Sequence, residues 1–163
     1  TIKHHVQTPC AMDHLDYKQR AAHAYAQLFM AISRLRLGDT AISQAFRRMA
    51  FNVMAKNCDD HSKNFAFRLR QGEAWELAPA YDLTHAYNPR GEWTYQHLMS
   101  VNGKFSSITR PDILLEAERF GVRRPRDLLA DVRAAVENWP VFAREAGLGA
   151  ATAQAIAADF ELV

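Results

Sequence analysis

The sequence predicts a mainly α-helical chain carrying one small β-hairpin. Three observations support this. Two long segments before Asn57 repeat apolar residues every three and four positions. Two short segments, Phe65 to Leu69 and Trp75 to Leu77, alternate instead. Helical spacing returns after Thr109. At 163 residues the chain has the size of one domain, or of one lobe of a larger one. Its 20 Lys and Arg stand against 18 Asp and Glu, so overall charge gives no argument for nucleic-acid or membrane binding. No apolar run approaches the ~20 residues of a membrane span. Cys10 and Cys58 make no disulfide framework, and a reduced cytoplasm is the expected setting. The N-terminus, from Thr1 to His5, has no signal-peptide pattern, and without an initiator Met the chain is expected to be a fragment or a processed product.

Residues 1–16 read as an irregular lead-in. His4, His5, Cys10 and His14 match no standard zinc spacing, so a solvated, partly ordered segment is expected. From Tyr17 to Leu37 the residues Ala21, Tyr25, Leu28, Phe29, Ile32 and Leu35 mark one helical face. Gly38 should stop that helix, and Asp39 or Thr40 should cap the next. The second helix runs to about Lys56, with Ile42, Ala45, Phe46, Met49, Val53 and Met54 inward and Arg47 and Arg48 on a solvated face. Residues 65–69 and 75–77, joined by Gln71-Gly72-Glu73, form the hairpin. Pro79 ends its second strand and keeps Ala78 extended. Residues 84–108 read as a long functional loop, with His97 and Lys104 as candidate substrate contacts. Pro111 opens a helix ending at Gly121, and Pro125 opens another that buries Leu128, Leu129, Val132, Val136 and Trp139 until Pro140 breaks it. Ala150 to Phe160 is the last helix.

The chemistry concentrates in Asn57-Cys58-Asp59-Asp60-His61-Ser62-Lys63-Asn64-Phe65, a polar loop between two buried elements. Because a hairpin brings its ends together, Asn64 and Asp82 should be neighbours. Asp59, Asn64 and Asp82 then form one site. Phosphoryl transfer needs these groups: a carboxylate to take the proton of the attacking hydroxyl, a neutral amide oxygen on Mg²⁺, and a second carboxylate holding the metal against the phosphates. The order Asp-x-x-x-x-Asn, hairpin, Asp has protein-kinase logic. Lys63 is suited to stabilising the transferred phosphoryl group. His61 is expected to brace Asp59 or Asp82, and Asp60 to hydrogen-bond within the loop. Cys58 reads as a small buried apolar residue rather than a nucleophile.

N-x-D-D-H-x-K-N-F at Asn57–Phe65 and L-x-P-A-Y-D-L at Leu77–Leu83 resemble the C-terminal kinase region of HipA-like proteins, a likeness running from about Tyr17 to Trp139. The resemblance implies a protein-kinase-like C-lobe and the activity of a serine/threonine kinase, typically the toxin of a bacterial toxin–antitoxin pair. Asp59 would be the catalytic base, with His61 and Lys63 beside it. Asn64 and Asp82 would hold Mg²⁺. Tyr81-Asp82-Leu83 would stand where ordinary kinases have Asp-Phe-Gly, placing Tyr81 with the ATP-binding set. The implied partners are a protein substrate, such as an aminoacyl-tRNA synthetase or another translation factor, and a small helix-turn-helix antitoxin that makes the DNA contacts. No G-x-G-x-x-G follows a strand, Gly147-Leu148-Gly149 lies between late helices, and no valine-rich strand carrying a lysine precedes Tyr17. Residues 1–163 therefore read as the C-terminal lobe, without the nucleotide-binding lobe and weak or inactive alone. Two alternatives stand beside the kinase: a metal-dependent phosphohydrolase using Asp59, Asp60 and His61 with His85 or His97, and a non-catalytic module that binds the antitoxin.

Overall fold

A computed structural model describes residues 3–16 and 18–163. Tyr17, the expected start of the first long helix, lies outside the described residues, as do Thr1 and Ile2 of the N-terminus. In chain order the elements are β1 (His5–Gln7), α1 (Pro9–Met12), β2 (His23–Ala24), α2 (Tyr25–Arg34), α3 (Gly38–Met54), β3 (Phe67–Leu69), β4 (Trp75–Leu77), β5 (Met99–Ser100), α4 (Arg110–Arg119), α5 (Pro125–Glu137), α6 (Trp139–Glu145) and α7 (Ala150–Ala157).

The core is the apolar faces of α2, α3 and α5 packed together. Tyr25, Leu28, Phe29 and Ile32 of α2 meet Ala45, Phe46, Met49 and Val53 of α3, and Leu129, Val132 and Val136 close the layer from α5. Phe29 stacks on Phe120 with ring centroids 4.9 Å apart. The inward residues are those whose helical spacing marked them, because burying one apolar stripe is what holds helices of this length.

The structure corrects several boundaries. α2 begins at Tyr25, and the described residues 18–22 before it are not helical; Ala21 is exposed and left-handed at φ 54°, so it cannot continue a helical face. Gly38, at φ +77°, opens α3 rather than only stopping α2; Leu37 is the capping residue, and Asp39 lies in the first turn. Arg48 is half-buried rather than on a solvated face: its Nη2 donates to the Ala78 carbonyl at 2.7 Å, and burial lowers its pKa. Arg47 pairs with Asp131 across 2.7 Å on the surface. The break before Pro140 is complete, since Asn138 separates α5 from α6 and Pro140 sits in the first turn of the new helix.

The hairpin forms as expected, with Phe67 opposite Leu77 and Leu69 opposite Trp75. Gly72 adopts φ +78° in its turn. The expected irregular lead-in is instead a third strand: β1 pairs antiparallel with β3, His5 opposite Leu69, and the His5 ring meets Trp75 edge-on at 5.6 Å. The long segment before α4 is largely irregular, but β5 pairs in parallel with β2 and buries Leu98, Met99 and Val101. The fold is therefore helical with a three-stranded and a two-stranded sheet, more strand than one hairpin. Among the described residues no helix is long and apolar enough to cross a membrane.

Candidate active site

Helix α3 delivers the chain into the polar loop. It stops where Lys56 turns left-handed at φ 54°. The next residues are tied to the segment beyond Asp82: Ala86 N donates to the Lys56 carbonyl at 3.0 Å, and Cys58 N to the Ala86 carbonyl at 3.3 Å. Inside the loop, Asn64 N donates to the His61 carbonyl at 2.9 Å, and Asn64 Nδ2 to the Asp59 carbonyl at 2.8 Å. The Asn64 amide group thus closes the five-residue loop on Asp59 and leaves its own Oδ1 as a hard acceptor.

The hairpin returns the chain to this loop. Ala78 N donates to the Ala66 carbonyl at 2.9 Å, and three residues further on the Tyr81 hydroxyl donates to the Lys63 carbonyl. Asn57 Nδ2 donates to the Asp82 carbonyl at 3.2 Å. Asp82 is left-handed at φ 55°, and its carboxylate is exposed. Burial holds the Asp59 carboxyl above the usual carboxylate range; His61 and Lys63 oppose that rise, and the charges of Asp82 and Asp60 add to it. His61 Nε2 stands 3.8 Å from Asp59 Oδ1. Asp59, His61, Lys63, Asn64, Tyr81 and Asp82 therefore share one face. Its metal-capable atoms are oxygens, one anionic at Asp82 and one neutral at Asn64, and among the described residues neither Asp82 carboxylate oxygen accepts a hydrogen bond. Such a hard, low-charge oxygen pair fits Mg²⁺ better than a transition metal.

Four side chains are engaged otherwise than the sequence suggests. Asp60 does not bond within the loop; it is fully buried and turned into the core. There it accepts from the Tyr25 hydroxyl at 2.7 Å, His97 Nδ1 at 2.9 Å and Leu98 N at 2.7 Å. His97 is 1 % exposed and so is no substrate contact. Burial pulls its imidazole pKa down, but the Asp60 charge and hydrogen bond outweigh this and raise it to about 10. Lys104 is engaged too, 2.8 Å from Asp112. His85 bonds Asp159 at 2.9 Å. With His97 and His85 turned away and Asp60 consumed, the two-metal hydrolase set is not assembled. Among the described residues no three His, Cys, Asp or Glu side chains gather as a metal site. Cys58 is buried, as its apolar reading requires.

Sequence reasoning missed Tyr25, Asn52 and Asn57. Asn52 Nδ2 donates to the Tyr25 hydroxyl at 2.9 Å, and Asn57 Nδ2 to Asn52 Oδ1 at 3.0 Å. For Tyr25 and Asn52 the one signal was polarity at positions that helical spacing turns inward, since a buried polar group requires a partner; Asn57, beyond the end of α3, had no such signal.

The chain can be set beside the family of HipA-like C-terminal domains. The profile of that family matches residues 2–159, and the chain belongs to it. A chain from the Shewanella oneidensis MR-1 toxin–antitoxin complex of HipA, HipB and operator DNA is similar in structure, with TM-score 0.61 and 18 % identity over 84 % of this chain. The present chain spans 35 % of the length of that one. No curated protein sequence matches.

Proposed function

We propose that this chain is the C-terminal, protein-kinase-like lobe of an ATP- and Mg²⁺-dependent serine/threonine kinase of the HipA type, the toxin of a toxin–antitoxin pair. The convergence of Asp59, Asn64 and Asp82 on one face carries the reading. Asp59 sits where it can take the proton of an attacking serine or threonine hydroxyl, and its raised pKa makes it a better base than an exposed aspartate. Asn64 Oδ1 and the Asp82 carboxylate would hold Mg²⁺, which supplies charge neutralisation on the ATP phosphates. His61 orients Asp59, and Lys63 offsets charge on the transferred group. Tyr81 ties the Asp82 turn to the loop through the Lys63 carbonyl, and would stand with the ATP-binding set.

The remaining parts follow from the family. In this reading the nucleotide-binding lobe would lie outside residues 1–163; the matched chain is longer, and this segment spans 35 % of it. The segment alone should bind ATP weakly and transfer phosphate poorly; nanomolar ATP binding by these residues would contradict that. The antitoxin partner is of the helix-turn-helix type and makes the DNA contacts, since a near-neutral chain lacks the basic surface that phosphate binding needs. The substrate class is a protein of translation, such as an aminoacyl-tRNA synthetase. Cys10 and Cys58 are free thiols, which suits the cytoplasm.

Phosphate transfer from labelled ATP with Mg²⁺ tests the proposal, using the longest chain encoded around this segment beside its Asp59→Asn and Asp82→Asn forms. Each substitution should lower transfer by ~10²-fold or more. No transfer by a folded parent refutes the kinase reading, and antitoxin binding that survives both substitutions then favours the non-catalytic module.

A further inference from the structure

Building on the phosphoryl-transfer reading, we infer that Asp60 is a positioning residue and that Tyr25, Asn52 and Asn57 couple it to the turn carrying Asp82. The basis is an unbroken buried chain of hydrogen bonds. Asp60 Oδ2 accepts from the Tyr25 hydroxyl at 2.7 Å, the same hydroxyl oxygen accepts from Asn52 Nδ2 at 2.9 Å, and Asn52 Oδ1 accepts from Asn57 Nδ2 at 3.0 Å. Asn57 Nδ2 spends its second proton on the Asp82 carbonyl at 3.2 Å. One end of the chain lies next in sequence to the proposed base, and the other lies on the residue proposed to hold the metal.

Each link has one available role. A tyrosine hydroxyl has a single proton, and burial beside Asp60 raises the Tyr25 pKa well above its usual value, so the proton stays on Tyr25 and points at Asp60. Its lone pairs are then open to Asn52. Asn52 and Asn57 each use an amide proton on the next link. Asp60 also accepts from His97 and the Leu98 amide, so both carboxylate oxygens are fixed. Because adjacent Cα atoms are ~3.8 Å apart, immobilising Asp60 fixes the peptide from which Asp59 projects. At the far end Asp82 occupies the left-handed region, which costs a non-glycine residue ~1 kcal/mol and needs an outside restraint. The Asn57 amide is such a restraint. A buried ionic and polar network is a poor source of net stability compared with an apolar core of the same volume. Its placement, ending on both arms of the site, indicates geometry rather than packing.

Tyr25→Phe removes the central oxygen and little else. In the longest encoded chain it should lower kcat by ~10-fold, as misplacement of reacting groups does, with KM for ATP within about twofold. Amide exchange at Ala86, whose N–H bonds the Lys56 carbonyl beside Asn57, should quicken in the same variant, far from the substitution in sequence. Asp60→Asn, which keeps the side-chain shape, should do the same. A lower melting temperature is expected on either account; an ordinary structural role would leave kcat per folded molecule unchanged. If the parent transfers phosphate and both variants keep kcat within about threefold, the positioning role is refuted and the kinase reading stands. If the parent transfers none, the kinase reading falls, and exchange at Ala86 decides the coupling: faster exchange in Tyr25→Phe supports it, and unchanged exchange overturns it.

Discussion

Raising the pH from about 6.5 to about 8.5 should remove ~2 kcal/mol of stability through one imidazole, His97. In the folded chain its pKa stands near about 10 against a reference of 6.5, because the Asp60 carboxylate outweighs the cost of burial. A group raised on folding contributes fully below its unfolded value and loses that contribution as pH climbs through its folded value. The window therefore opens near pH 6.5 and closes near pH 10. The whole shift is on the order of 5 kcal/mol at ~1.4 kcal/mol per unit, and roughly half of it is gone by pH 8.5. Among the described residues, Asp60 and Cys58 are the titratable groups that act on the ring, and Tyr25 reaches it only through Asp60. Urea unfolding at half-unit pH steps measures the effect, as a midpoint falling by ~1 M for a slope near 2 kcal/mol/M. His97→Gln should be less stable at pH 6.5 and lose the slope up to pH 8.5. A parent whose stability holds within ~0.5 kcal/mol over that interval, or a variant with the parent's slope, would refute the buried ion pair.

Other outcomes follow from single contacts. Asp112 accepts from Thr109 N at 2.9 Å, Asn102 Nδ2 at 2.9 Å and Lys104 Nζ at 2.8 Å, which holds its carboxyl well below the usual range. Asp112→Asn should cost ~1–3 kcal/mol at neutral pH by denaturant titration. That deficit should close only below pH ~4, since a depressed carboxylate loses its contribution as pH falls through its folded value. Arg48→Ala orphans the Ala78 carbonyl and should cost ~1–2 kcal/mol, read as a lower thermal midpoint. Phe46→Ala, at a fully buried position, should cost ~3–5 kcal/mol in the same assay.

The helical core was legible because its apolar spacing is dense and the faces it marks are those that pack. The hairpin was legible from alternation around a glycine turn, and that placed Asp82 near the loop before any coordinates. β1 was not legible: Val6 is 53 % exposed, and the strand exists only because β3, sixty residues on, offers an edge. α2 was drawn too long because Ala21 falls on helical spacing, which carries no sign of a left-handed residue. Asp60 was the costliest error. In the sequence it is one polar residue of a polar run, and nothing local shows that it turns inward. What decides its direction is Tyr25 and His97, which reach it only after the chain has folded.

The hydrogen bonds meeting at Asp60 come from residues 35, 37 and 38 positions away. Closing loops of that length costs entropy before any bond forms, so non-local junctions of this kind assemble late. Helix α3 and the hairpin are local and can form early, but the loop between them cannot be locked until Tyr25 and the 97–98 segment have both arrived. Interactions absent from the folding transition state act on the unfolding rate. Weakening the Asp60 junction should then leave the refolding rate almost unchanged and hasten unfolding, so that the buried junction beneath the site is also the latch that keeps the chain shut.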